Sequence, residues 1–390
     1  MTVLLFHEDS YRTSFIATVT HTEGNRVALD QTAFYAEAGG QNADQGFFVW
    51  EDQRLSVTDV QKKNGQVWHT IEGDVIPEVG SYVHGEVDWS LRYQHMQRHS
   101  GEHLLAQAFL RVNPEFRVQA VSMRSSECTL DLSGNPTEED ARAAEEVVMR
   151  SIYRNLPFHT VWVTGAELQQ YPLRRPPQVE GRIRLVCVMD RMDRTGYWEV
   201  SACGGTHVNR TGEVGAVFIT KLEKVAGGLT RVFFMTGHEA YRQLTQTYRD
   251  ARTLATSFST GIEKLTERVE ALRTEALDSR RKLAEAHEAL SVSLLSGKTG
   301  VQVVPLADSD MLKPFSKVAV AQPDLLCVAY TPDGRVVVTS STKASAKEVL
   351  AEILKNAGGK GGGKPDLAQG SAPFEPLERA IHLWREGATT

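Results

Sequence analysis

Four side chains in this 390-residue sequence have the type and spacing to hold a metal ion: His99, His103, Cys203 and His207. His99 and His103 lie in LRYQHMQRHSGEHLLAQAFLRV, whose apolar positions recur at helical spacing. Both imidazoles therefore leave one helix face, one turn apart. Cys203 and His207 stand at the two ends of CGGTH, where two glycines allow a tight backbone turn. One thiolate and three imidazoles form a tetrahedral zinc set, so Zn2+ is the expected cofactor. Four protein ligands make a closed, structural site, whereas catalysis needs a position for water or substrate. Either one ligand sits back, or the metal positions a substrate without activating water; the spacing leaves both open. HSGEH also fits the H-x-x-E-H pattern of inverted zinc peptidases, with Glu102 as general base. The Cys/His pair weighs against that reading, as does the lack of a downstream helix carrying a third, carboxylate ligand. Glu102 then reads as a solvated or hydrogen-bonding helix residue.

The elements that must carry these residues give an α+β multidomain chain. Residues 1–88 hold short β-branched and aromatic segments between Gly, Asn and Asp turns, such as SFIATVTHT, GFFVWED and QVWHTIEG, which predicts a small β-barrel or sandwich. Residues 89–238 mix helices and strands and form the zinc-bearing α+β domain. Within it, TEEDARAAEEVVMRSIYRN opens on a capping box at Thr137 and Asp140, and IRLVCVM and AVFITKLEKV read as buried strands. Over 239–295, Ile262, Leu265, Val269, Leu272, Ala276, Leu283, Ala286 and Leu290 keep a heptad register. That predicts an antiparallel helical hairpin or coiled coil, a spacer or homodimer contact. Residues 296–390 read as a small α/β domain with three strands, two helices and a long glycine-rich loop, GGKGGGKPDLAQGSA.

Composition narrows the function classes. Hydrophobic residues make up 41% and charged residues 24%, as in ordinary globular proteins. No apolar run approaches the roughly 20 residues needed to span a bilayer, and MTVLLFHEDSYR lacks the basic start of a signal peptide. A cytoplasmic protein is expected. Cys128, Cys187, Cys203 and Cys327 are too scattered for a disulfide scaffold. The net charge of −6 is uneven: residues 1–90 carry five Lys/Arg against fourteen Asp/Glu, leaving the remainder mildly basic. Any nucleic-acid surface must be local.

Several motifs, taken together, resemble one family. TAFYAEAGGQNADQG, RHSGEHLL, SACGGTHVNRTGEVGAV and GLTRVFFMTG are similar to the editing part of alanyl-tRNA synthetase, and GGKGGGKPDLAQG to its C-terminal tRNA-binding domain. The chain opens directly into the barrel, without the class II aminoacylation domain, and so looks like the long form of the freestanding alanyl-tRNA editing proteins. The resemblance implies hydrolysis of serine or glycine wrongly esterified to alanine tRNA, with mischarged tRNA(Ala) as partner. It matches His99, His103, Cys203 and His207 to the family's zinc ligands. It matches Thr32 to a threonine that recognises the serine hydroxyl, and Gly39, Gly40 and Gln41 to a Gly-Gly-Gln signature lining the pocket. ATP binding is carried by the same resemblance. Glu102 departs from it, since the synthetases usually have a small residue or Thr there. Lys360 and Lys364, with exposed backbone amides, are candidate phosphate contacts, although residues 297–390 are nearly neutral. A tRNA-binding protein with a structural zinc and no activity, and a fragment of a full synthetase, carry the same motifs.

Overall fold

The computed structural model describes residues 1–176 and 181–388. The chain forms two compact units, Met1–Asp250 and Ala251–Thr390.

The first unit opens on a barrel. β1 (Val3–Leu4) pairs in parallel with β4 (Gln31–Thr32) beside it. β2 (Ser14–Glu23), β3 (Arg26–Leu29), β5 (Gly46–Trp50), β6 (Gln53–Lys63), β7 (Gln66–Ile71) and β8 (Tyr82–Val87) close in the order β2-β3-β7-β6-β5-β8. Closure satisfies every strand edge, which an open sandwich would not. Alternation selects the interior: Phe15, Ala17 and Val19 of β2 and Val67, His69 and Ile71 of β7 are buried. They meet Phe34 and Phe48, whose rings lie 5.5 and 5.2 Å from that of His69.

His69 is a base sealed in an apolar barrel. Its Nδ1–H donates to the Val27 carbonyl at 3.1 Å, so Nε2 accepts from the Thr32 hydroxyl at 2.9 Å. Burial lowers its pKa to about 4, against the Val27 bond, which raises it. In the unfolded chain it titrates near 6.5. A depressed base leaves stability intact above the unfolded value and removes it as pH falls through the folded one. Stability to urea should therefore drop by about 3 kcal/mol between roughly pH 6.5 and 4 from this residue alone. His69→Gln should flatten that slope in urea titrations at several pH values; an unchanged slope would show that His69 does not set it.

Asp88 caps α1 (Trp89–Val112) by accepting from the Leu91 N–H at 3.1 Å. β9 (Val118–Ser122), β10 (Cys128–Leu132) and α2 (Glu138–Tyr153) follow, α2 starting on the expected Thr137/Asp140 capping box. β11 (Phe158–Val163), β12 (Ile183–Met189) and β13 (Tyr197–Ala202) form one antiparallel sheet. β14 (Val217–Val225) and β15 (Leu229–Thr236) join β9 and β10 in the order β14-β15-β10-β9. Leu104, Leu105 and Phe109 of α1, Ala144 and Val148 of α2, and Leu130, Val186 and Phe234 of the strands share one core. α1 is joined to the barrel by Arg92, fully buried, which holds the Asp44 carboxylate and donates to the Ser10 and Ala33 carbonyls.

α3 (Gly237–Ser257) runs across the division between the units, and α4 (Leu265–Leu295) belongs to the second. Both fall where helix was expected, with the turn at Ser259 in the left-handed region. Val269, Leu283 and Leu290 of the heptad register are exposed. In the second unit, β16 (Gly300–Pro305), α5 (Leu312–Ala321), β17 (Leu325–Tyr330), β18 (Arg335–Ser340), α6 (Ala346–Ala357), β19 (Lys360–Gly363), β20 (Leu367–Ser371) and α7 (Phe374–Ala388) build a five-stranded sheet ordered β16-β17-β18-β20-β19 with helices against it. Two features differ from expectation. α5 is a third helix in this region; Pro314 falls in its first turn, where the missing N–H costs nothing. The glycine-rich segment is a strand pair, not a loop. A Cβ on Gly361 or Gly363 would come within 2.7 or 2.4 Å of β20, so close backbone approach, not mobility, requires the glycines. Lys360 opens β19 and Lys364 follows it, both exposed. Among the described residues, no helix is long and apolar enough to cross a membrane.

Candidate metal centre and its cavity

α1 presents His99 and His103 one turn apart, and the loop after β13 brings Cys203 and His207 to them. The four potential ligand atoms lie within 4.8 Å of one another. Cys203 Sγ is 3.3 Å from Nε2 of both His99 and His207. The His207 ring centroid lies 4.3 Å from that of His99 and 4.6 Å from that of His103. The sequence-predicted set is thus one cluster.

The loop is shaped for this approach. A Cβ on Gly205 would stand 2.2 Å from His99 Cε1, so only glycine lets the chain pass. Arg184 of β12 donates to the Cys203 and Gly205 carbonyls at 2.9 and 3.0 Å, which fixes the turn from behind. The Gly205 N–H points at Cys203 Sγ, 3.3 Å away.

Each imidazole has an outer partner on Nδ1. Gln41 Oε1 lies 2.7 Å from His99, Ser100 Oγ 3.1 Å from His207 and Glu199 Oε2 3.3 Å from His103. Gln41 is itself held by donating to the Thr206 hydroxyl at 2.9 Å. With every Nδ1 engaged outward, Nε2 is the nitrogen left to converge on a metal, which is how metal-binding histidines are oriented. This donor set fits a tetrahedral ion. Burial pushes the Cys203 thiol up, but His99 and His207 beside it outweigh this and hold it well below its usual value. Burial likewise opposes ionisation of Glu199, yet His103 and Arg174 hold its carboxyl below the ordinary range. Burial lowers the His103 pKa, but Glu199 outweighs this and lifts it to about 10, so the cluster favours a thiolate and a buried carboxylate, and a divalent cation bound there would release the His103 proton.

A cavity of about 830 Å³ opens beside the cluster. His99, His103 and Cys203 line it, whereas His207 stands behind. Among the described residues, its walls also carry Lys62, Arg117, Arg174, Arg175, Arg182 and Arg184 against one carboxylate, Glu102. Of the two expected states of Glu102, solvated or hydrogen-bonding, burial rules out the first. Glu102 lies 3.8 Å from Arg174 and 3.7 Å from His103 Nε2.

The other expected site residues spread over two depths. Gly39 lines the cavity; Gly40 and Gln41 do not. Gly40 packs so near Val121 that a Cβ would meet its carbonyl oxygen at 3.1 Å, and Gln41 stands behind His99. Thr32 lies deeper in the barrel. Its hydroxyl hydrogen goes to His69, and its oxygen accepts from the Phe34 N–H at 3.1 Å. Glu199 and Arg184 were missed, although each is a charge inside an apolar strand run, YWEVSA and IRLVCVM. That is the signature of a buried residue with a partner.

Three family descriptions match this chain. Residues 4–91, which fold as the barrel, match tRNA synthetases class II (A). Residues 183–233, which supply Cys203 and His207, match the threonyl and alanyl tRNA synthetase second additional domain. Residues 317–387 match the DHHA1 domain. Among curated proteins, the alanine–tRNA ligase of Pyrobaculum neutrophilum is 34% identical over 97% of this chain and 44% of its own length. That of Archaeoglobus fulgidus is 31% identical over 94% and 42%. The chain thus spans less than half the length of these relatives. A crystal structure of the C-Ala domain from Aquifex aeolicus alanyl-tRNA synthetase is similar over 24% of this chain and 91% of its own, at 24% identity and a TM-score of 0.21. Carrying these segments in order, the chain is similar to alanine–tRNA ligases along nearly all of its own length, and its metal-cluster loop lies in the segment that matches the second additional domain.

Proposed function

We propose that this chain is a trans-editing hydrolase that deacylates serine or glycine from mischarged tRNA(Ala). One observation carries the reading: in a chain related to alanine–tRNA ligases, three of four converging ligands face a cavity whose described walls carry six cations and one carboxylate. A polyanionic strand end suits such walls, and an acyl ester at its tip would reach the cluster. Zn2+ held by His99, His103, Cys203 and His207 would supply positive charge for the ester carbonyl or the substrate amine. Gln41, Ser100 and Glu199 orient the ligands. Gly39 presents bare backbone to the acyl group, and Tyr35 and Ala36 wall the same end. Thr32 works through that wall, anchoring Phe34 by the bond to its N–H. An aminoacyl ester is reactive enough for positioning and charge stabilisation to suffice. Hydrolysis runs downhill with water, so the ATP use of a ligase has no part in it. Lys360 and Lys364, exposed on the glycine-rich strand pair, would touch tRNA phosphates, and the exposed heptad residues of α4 offer a contact for a second copy.

A second reading, a tRNA-binding protein with a structural metal, is favoured by the four protein ligands. The peptidase reading loses ground because Glu102 faces Arg174 and Glu199 bonds His103 from the outer side. The deciding experiment charges alanine tRNA with labelled serine or glycine and follows ester loss, with alanyl-tRNA as control. Loss of serine or glycine with alanine spared establishes editing. Stable esters in the presence of folded, zinc-loaded protein overturn it and leave the binding reading.

A further inference from the structure

We propose that Trp162 is the platform on which the terminal base of the acceptor strand stacks. This rests on the cavity receiving a tRNA 3′ end, as proposed above. Trp162 lies on the edge strand β11, lines the cavity, and is 42% exposed. A large ring left this open at a cavity mouth is an unusual use of apolar surface. A short path links it to the metal cluster. Gly204, next to Cys203, has its carbonyl 3.2 Å from His7 Nε2, and the His7 ring centroid lies 5.5 Å from that of Trp162 at an interplanar angle of 65°. His7 and Trp162 thus line the wall outward from Cys203. An ester held at the cluster joins the ribose, and the base is the next group out, so it meets this aromatic wall.

The charges suit the same ligand. Trp162 pairs with Arg184 across β11 and β12, so Arg182, two residues earlier, shares its face. The Arg182 guanidinium sits 5.6 Å from the Trp162 ring centroid. That spacing is too narrow to sandwich a base, so Arg182 would serve the 5′ phosphate of the same nucleotide. Among the described residues, no carboxylate lies within ion-pair distance of Lys62, Arg175 or Arg182 on this wall. Burial and the nearby Arg184 lower the His7 pKa to about 4, so His7 adds an uncharged ring. An aromatic face flanked by cations recognises single-stranded RNA by stacking, without reading base identity.

The test is a cycle between protein and RNA. Uncharged minihelices ending in CCA, and identical ones with an abasic 3′-terminal nucleotide, are titrated into the full-length wild-type chain and into Trp162→Ala and Trp162→Phe. Removing the base should weaken wild-type binding about 10-fold. It should change binding to Trp162→Ala little, and Trp162→Phe should restore most of the penalty. Quenching of tryptophan fluorescence by the CCA minihelix should shrink in both variants. An equal abasic penalty in wild type and Trp162→Ala, or no wild-type binding to either RNA, overturns the proposal. Failure to hydrolyse seryl-tRNA would instead sink the editing reading and leave this cycle legible.

Discussion

Cys203→Ala should purify without stoichiometric zinc and without deacylase activity on seryl-tRNA(Ala), while keeping its fold. Cys203 Sγ sits 3.3 Å from two imidazole nitrogens, so its loss leaves three histidines crowded around an unoccupied corner. Replacing an outer partner of a metal ligand typically lowers affinity roughly 10- to 100-fold; removing the thiolate itself should exceed that. Gln41→Ala and Glu199→Gln supply the graded comparison. Gln41→Ala frees Nδ1 of His99, Glu199→Gln removes the charge behind His103 while keeping an acceptor, and both should land within that outer-partner range. The fold should survive because Cys203 lies at the cavity wall, whereas the core beneath α1 is carried by Leu104, Leu105 and Phe109. Metal analysis, circular dichroism and single-turnover deacylation separate the effects. Retained stoichiometric zinc in Cys203→Ala would refute the four-ligand centre. Zinc loss with full activity would refute a metal role in hydrolysis.

The four-residue cluster was legible in the sequence because each half is local: a helix turn fixes His99 against His103, and a glycine turn fixes Cys203 against His207. The barrel was legible as short alternating strands, but its closure was not, since sandwich and barrel share that alternation. Depth within the site was also hidden. Gln41, Gly39 and Thr32 are close in sequence, yet one supports His99, one lines the cavity and one bonds a barrel histidine. Which depth each occupies depends on how β4 and the turn after it pass α1, a long-range matter that no window of sequence contains. Glycine richness misled at residues 358–363 because glycine serves both mobility and close strand approach, and only the partner strand distinguishes them. Glu199 and Arg184 became meaningful once their partners, distant in sequence, were in place.

Arg92→Ala should be among the most destabilising single changes in the first unit, costing about 3–5 kcal/mol. Arg92 and Asp44 are both 0% exposed, so truncating the arginine leaves a carboxylate buried without its counter-charge. Asp44 would keep only the Tyr35 N–H, which donates to it at 2.6 Å, and the Ser10 and Ala33 carbonyls would lose their donor. Those carbonyls belong to the barrel side and Arg92 to α1, so the pair fixes the barrel against the helix that carries His99 and His103. The loss should therefore appear twice, as a lower urea midpoint and as weaker metal binding, although Arg92 touches no ligand. Asp44→Asn in the Arg92→Ala background should recover part of the stability by removing the orphaned charge. A single change costing under about 1 kcal/mol would place the pair with exposed ion pairs, contrary to its burial.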